Sequence, residues 1–301
     1  MSTQEGEHVQ AVQRLKEAEE AFLAADTERM GRASQGSMDL DPSLGRAWEL
    51  KGLYLYVSDR VEEARTCFEN SLRKRGHFNI SRIALDLMGK AQWPEGEGPV
   101  ERIGRLELLG HALLSDREWP AAALCYITIE NRVRPDWRLY SILGLIHREM
   151  GTLEPSLKYY DLASGQPDAP EEIEHDRAVV LFKLGRFEEA ERSFSRAAEI
   201  SPSNPMIWNN LGAVQEAQEK DEKALMSYMR SVELEDDYYP ALYSLGRLLQ
   251  KLGRMEESRL FMEKALEIEG RVYDLEDIKG RRKRKKDGSL HVKEVMHDKK
   301  S

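Results

Sequence analysis

Small residues return in this chain every 34 positions. Gly246, Gly212, Ala178, Gly144 and Gly110 make one column, and Ser258, Ala224, Ala190, Ser156 and Ala122 make a second. Ala265, Ser231, Ala197 and Ala163 make a third. A fourth is bulky: Met262, Tyr228, Phe194, Tyr160 and Tyr126. Four columns sharing one interval leave few folds open. A period of this size marks a stacked array, in which each unit packs against its neighbours and no unit buries its apolar face alone.

The contents of one period say what the unit is. Trp208, Leu211, Gly212 and Gln215, then Ala224, Tyr228, Ser231 and Val232, are two apolar patterns at helical spacing. Two helices of about 12–14 residues, joined by a short polar turn such as "EKDEK" or "LGRME", make a helical hairpin. Helices that cross closely need small side chains at the crossing, the expected role of Gly212 and Ala224. A leucine there would overpack the crossing at about 1–3 kcal/mol. Between hairpins, "EISPSNP" carries Pro202 and Pro205, which stop one helix and open the next.

Trp208–Leu211–Gly212, followed by Ala224 and Tyr228 and preceded by Pro202, resembles the tetratricopeptide repeat. The resemblance implies an all-α solenoid of tandem helix-turn-helix units wound as a right-handed superhelix. Windows start at Ile103, Trp137, Glu171, Pro205 and Tyr239, giving repeats 103–136, 137–170, 171–204, 205–238 and 239–270. A further repeat, 45–78, holds Trp48, Gly52, Ala64, Phe68 and Ser71 in the same columns. Residues 1–44 read as a degenerate repeat or capping helices, with Ala18 and Pro42 in phase and Met30 out of pattern. Residues 79–102 read as an insertion: a helix over "NISRIALDLMGKA", then a Pro/Gly-rich loop. Residues 271–280 read as a partial cap, with Val272, Tyr273, Leu275 and Ile278 at near-helical spacing, and 281–301 as a disordered basic tail. Glu174, Arg177 and Lys51 depart from the pattern, standing where apolar residues are usual. Pro155 falls in a first helical turn, where proline is tolerated.

Composition excludes several classes. The chain of 301 residues is 41% hydrophobic and 33% charged, enough apolar content for a core. No run approaches the ~18 apolar residues of a membrane span, and the N-terminus lacks a secretory pattern. Cys67 and Cys125 are too few for a disulfide framework and too far apart in sequence for a metal motif, which suits buried thiols in a reducing compartment and a cytoplasmic location. The net charge of −9 hides an asymmetry. Residues 271–301 hold 11 Lys/Arg against 6 Asp/Glu, while residues 1–270 hold 34 against 48. Arg281–Lys286 is an unbroken basic run. It could meet RNA, an acidic partner or an anionic surface, but it has no interleaved aromatics for base stacking.

Phosphate-binding, metalloprotease and hydrolase motifs are absent, and no cofactor is expected. Glu107, His111 and His175 are metal-ligand types, read here as ordinary polar residues of a groove. In arrays of the family resembled, the first helices line the inner groove. This points to Arg138, Ser141, Arg148, His175, Asn209, Asn210, Tyr243 and Arg247 as peptide-contacting positions, with Glu49, Leu53 and Tyr56 exposed on the same face further toward the N-terminus. A Lys/Asn clamp for a terminal carboxylate is missing at the early repeats, where Glu49 with Leu53 and Glu107 with His111 stand instead. The expected function is that of a non-catalytic scaffold or adaptor, monomeric or weakly dimeric, gripping a peptide or helix. The alternatives are an RNA- or ribosome-associated factor using the tail, or a regulatory subunit of an enzyme complex.

Overall fold

The computed structural model describes residues 3–90 and 98–280, with side chains over 5–90 and 98–270. The basic run Arg281–Lys286 and the rest of 281–301 lie outside the described residues. All regular structure among the described residues is helical. The chain divides into two compact units, 1–193 and 194–301, which meet within one helix.

The first unit holds α1 (Thr3–Leu23), α2 (Thr27–Leu40), α3 (Gly45–Val57), α4 (Val61–Leu72), α5 (Asn79–Lys90), α6 (Pro99–Ser115) and α7 (Trp119–Glu130). It continues through α8 (Trp137–Glu149), α9 (Leu153–Ser164), α10 (Glu171–Lys183) and the start of α11 (Phe187–Ile200). The second unit holds the rest of α11, then α12 (Pro205–Ala217), α13 (Asp221–Leu234), α14 (Tyr239–Lys251) and α15 (Met255–Gly280). The pairs α1–α2, α3–α4, α6–α7, α8–α9, α12–α13 and α14–α15 pack as hairpins.

The columns of the sequence become the crossings. A Cβ built on Gly212 would lie 2.7 Å from the Tyr228 ring, and one on Gly110 would lie 2.8 Å from the Tyr126 ring. The glycine is therefore the seat of the aromatic ring 16 residues later. The small residue of the second helix faces the same crossing. Where it is serine, the hydroxyl donates to the glycine carbonyl: Ser156 Oγ to Gly144 O and Ser258 Oγ to Gly246 O, both 2.7 Å. A buried hydroxyl with a partner costs little, which is why alanine and serine interchange in this column. The junctions are fixed alike. The indole N–H of Trp208 donates to Pro202 O and that of Trp48 to Pro42 O, each at 2.9 Å.

Polar residues at apolar positions have found partners. Arg177 donates to Asp161 Oδ1 at 2.5 Å and to Ser193 Oγ at 2.6 Å. Lys51 lies over the Tyr54 ring, and burial lowers its pKa.

The stretch 79–102 begins with α5, one 34-residue interval after Gly45. Helix α5 buries Ile80, Ser81, Ala84 and Met88 against α3, α4 and α6. It occupies the place of a first helix, and the next described helix is α6, itself paired with α7. Buried Glu49 accepts the Ser81 amide at 2.9 Å and pairs with Arg46. Glu49, Leu53 and Tyr56, expected on an exposed inner face, are at most 1% exposed, which corrects that reading. The physical reason is coverage: the α5 N-terminus sits on the Glu49 carboxylate, while Arg105 of α6 lies over the Tyr56 ring. At the other end α15 continues to Gly280 without a turn, so 271–280 prolongs the last helix; the side chains expected to form a cap lie outside the described set.

Candidate functional site

Within the first unit, α6 and α8 border a cleft of about 440 Å³. Its apolar lining includes Ile103, Ile129, Leu139 and Ile142. Polar groups stand around it: Glu107 and His111 from α6, Arg134 from the α7–α8 link, and Arg138 from α8. Each has a local cause. Asp136 caps α8, accepting the amides of Arg138 and Leu139 at 3.1 Å, which fixes where that helix begins. Arg138 is exposed, lies over the Trp137 ring and contacts Asp136 at 3.1 Å. The Tyr126 hydroxyl, seated against Gly110, meets His111 Nδ1 at 3.1 Å. Burial raises the Tyr126 pKa, so the phenol stays neutral. The arrangement can hold an apolar side chain beside a carboxylate.

Four of the expected positions lie in this unit. Ser141 is half-buried on α8. Arg148 and His175 are brought together by Asp176: the Arg148 Nη1–Asp176 Oδ1 distance is 2.9 Å, and His175 Nδ1 lies 3.6 Å from the same oxygen. The Tyr160 hydroxyl donates to Asp176 Oδ2 at 3.4 Å. Burial pushes the Asp176 carboxyl up, but the His175 and Arg148 contacts outweigh it and hold the pKa below its ordinary value. Arg148 therefore enters any binding event already matched with a carboxylate.

The second unit repeats this device with the charges exchanged. Arg247 of α14 donates to Glu216 Oε2 of α12 at 2.8 Å, and the Tyr228 hydroxyl donates to the same oxygen at 3.0 Å. Asn209 is 9% exposed; its Nδ2 lies 3.5 Å from Asn210 Oδ1, and its Oδ1 has no partner among the described residues. Tyr243 is exposed on α14 and stacks on Tyr239, with ring centroids 6.0 Å apart.

Sequence reasoning missed Arg134, Ile103 and Ile142. Ile142 neighbours Ser141 on α8 and is visible only once α6 and α8 are paired. The carboxylates on Arg148 and Arg247 were missed too. Both belong to the neighbouring hairpin, 28 and 31 residues away, and no local spacing signals them.

Family models describe residues 179–219 as a TPR repeat and residues 239–271 as a tetratricopeptide repeat. Protein NPGR1 of Arabidopsis thaliana is 31% identical over 101 residues, which is 33% of this chain and 15% of that protein. Anaphase-promoting complex subunit 3 of Schizosaccharomyces pombe is 23% identical over 243 residues, 66% of this chain and 36% of that protein. The chain thus spans about a third or less of the length of these curated relatives. Among solved structures, MamA (residues 41 to the end) from Desulfovibrio magneticus RS-1 superposes with a TM-score of 0.53 at 14% identity, covering 56% of this chain and 94% of that one. That likeness is one of fold. No helix among the described residues is long and apolar enough to cross a membrane.

Proposed function

From the premise that this chain is a tetratricopeptide-repeat protein, we propose that it is a non-catalytic interaction scaffold that binds a peptide or helix along its first-helix faces. The observation that carries this reading is the cleft between α6 and α8, with isoleucines and Leu139 in its lining and Arg134 and Arg138 beside them. It suits a segment offering one apolar side chain and one carboxylate nearby, recognised by burial and charge-assisted hydrogen bonding. In this reading Arg148, His175 and Ser141 shape the groove from α8 and α10. On the second unit Asn210, Tyr243 and Arg247 form a separate contact surface on α12 and α14, with Asn209 buried beside Asn210 rather than on that surface. The 34-residue windows are the units that present these surfaces.

The test is a peptide library displayed against the whole chain. Selected sequences should pair an apolar residue with Asp or Glu. Ile142→Glu combined with Arg138→Glu should weaken their binding by about tenfold or more, which is about 1.4 kcal/mol. Lys223→Glu, at an exposed second-helix position, should change nothing. Peptides that bind the double variant as tightly as the parent would remove this cleft from the reading.

A further inference from the structure

The second helices can be compared at one pair of positions in the 34-residue period, on the side turned away from the hairpin crossing. Leu124 and Ile127 of α7 hold it, then Lys158 and Asp161 of α9, Arg192 and Ser195 of α11, and Met226 and Met229 of α13. On α9 and α11 the pair is polar, and Lys158, Asp161 and Arg192 are exposed. On α7 it is apolar, and there it is covered. Helices α1 and α3 pack on α7, Leu124 is 1% exposed, and Ile127 shares a cleft with Phe22 of α1. On α13 the pair is apolar again, yet Met226 is 66% exposed and Met229 45% exposed. One interval later Leu260 of α15 holds the register of Met226 and is also 66% exposed. An ion pair of 3.0 Å between Lys264 of α15 and Asp236, in the turn after α13, joins the two helices. Among the described residues, the second unit thus leaves open an apolar patch at the register that the first unit covers with helices.

We propose that this patch is the docking face for a basic amphipathic helix of a partner protein, seated on Met226, Met229 and Leu260. The first unit supplies the precedent for a helix, and charge supplies the partner's chemistry. Residues 221–237 and 255–270, which hold α13, the turn after it and the described side chains of α15, carry 11 Asp/Glu against 4 Lys/Arg. Residues 205–220 and 239–254, which hold α12, α14 and the turns after them, carry 2 against 4. The acidity of this unit therefore belongs to its second helices. Glu222 and Glu233 of α13, with Glu256, Glu263 and Glu267 of α15, stand one or two helical turns from the three apolar residues. Arg230 lies against Glu233 at 3.0 Å and Arg259 against Glu263 at 2.8 Å, and with Lys223 they leave the rim acidic. A second copy of the chain would bring a second acidic face, which the first repels. Methionine adapts to differing apolar partners, so the face selects by charge and spacing more than by close fit. Met226 and Met229 are about 4.5 Å apart along α13, the rise of three residues, and a partner helix with apolar residues at i, i+3, i+4 and i+7 matches that interval. The patch shares no residue with the α6–α8 cleft, so either reading can fail without the other.

The test is a display library of helical peptides selected on the full chain and counter-selected on the variant Met226→Gln with Met229→Gln, which removes apolar surface without changing charge. Selected peptides should carry apolar residues at i, i+3, i+4 and i+7 flanked by Lys or Arg. Their affinity should fall at least tenfold on the variant, whose melting temperature stays at the parent's value. The same peptides with Glu in place of each Lys or Arg should also bind at least tenfold more weakly. About 0.5 M salt should weaken the originals, because the attraction is screened. A photoreactive benzoylphenylalanine at an apolar position of the peptide should mark 222–233 and 256–263. A library that yields no peptide preferring the parent over the variant would overturn the proposal, as would acidic selected peptides or crosslinks confined to other helices. Self-association of the full chain that the variant abolishes would overturn it in favour of a second copy.

Discussion

Ala25, Asp59, Arg117, Gly151, Gly185, Glu219 and Gly253 all have positive φ, from 53° to 78°, and each ends the turn between two consecutive helices. They share one register of the period, yet the column mixes five residue types and is invisible in the sequence. The backbone imposes it: the chain reverses through one left-handed residue, whatever its side chain. A left-handed non-glycine residue costs about 1 kcal/mol, partly offset by glycine's greater entropy when unfolded. Glu219→Gly and Arg117→Gly should each stabilise by about 0.5 kcal/mol, and Gly185→Val should destabilise by about 1 kcal/mol or more. Denaturant midpoints decide this, and two neutral or negative glycine variants would refute the strain. The crossing column behaves oppositely, being legible because sterics admit only small residues. With the Tyr228 ring 2.7 Å from a Cβ at Gly212, Gly212→Leu should lower stability by about 1–3 kcal/mol.

Helix positions were readable from periodicity; which faces stay open was not. Glu49 has the spacing of a groove residue, but α5 covers it, and the pairing of Glu49 with the Ser81 amide spans 32 residues. Charge-assisted bonds to a buried helix start are worth about 1.5–3 kcal/mol, so Glu49→Leu should loosen α5 first. Amide exchange over 80–88 should then rise well before exchange in α8; uniform protection would deny Glu49 that role. A second effect arises where α8 ends. Thr152 Oγ1 donates to His147 O at 3.0 Å and lies 2.9 Å from His147 Nδ1. With its one proton committed, the hydroxyl must accept there, so Nδ1 carries the imidazole proton. Burial lowers the His147 pKa, favouring the neutral ring, which stacks on Tyr159 at 5.4 Å. A depressed folded pKa means stability that is complete above the unfolded value, about 6.5, and is lost as pH falls through the folded value. The wild type should therefore lose more melting temperature between pH 7.5 and 5 than His147→Asn. Parallel pH profiles would show that His147 does not contribute.

A strictly linear array passes a perturbation only to adjacent hairpins. The first unit departs from that rule. Its buried core runs without interruption from Ala18 to Ile146, and α7 touches α1 and α3 as well as its neighbours in sequence. Among the described residues α5 is a single helix between the α3–α4 and α6–α7 hairpins, and α7 reaches the earlier helices α1 and α3. The sequence disclosed that the period slips here, because Gly45 and Ile103 are out of phase. It could not disclose the contact, which depends on how a single helix packs. Phe22 of α1 is 5% exposed and shares one cleft with Ala123 and Ile127 of α7. Phe22→Ala should cost about 3–5 kcal/mol, and the loss should be distributed over both ends of this closure. Native-state hydrogen exchange should show protection falling in α1, α2 and α7 together, while Leu249→Ala in the second unit lowers protection in α13 and α14 and leaves α7 as it was. If Phe22→Ala instead leaves α7 at wild-type protection while α1 and α2 open, the first unit is a linear array after all, and the contact between α1 and α7 contributes nothing to its cooperativity.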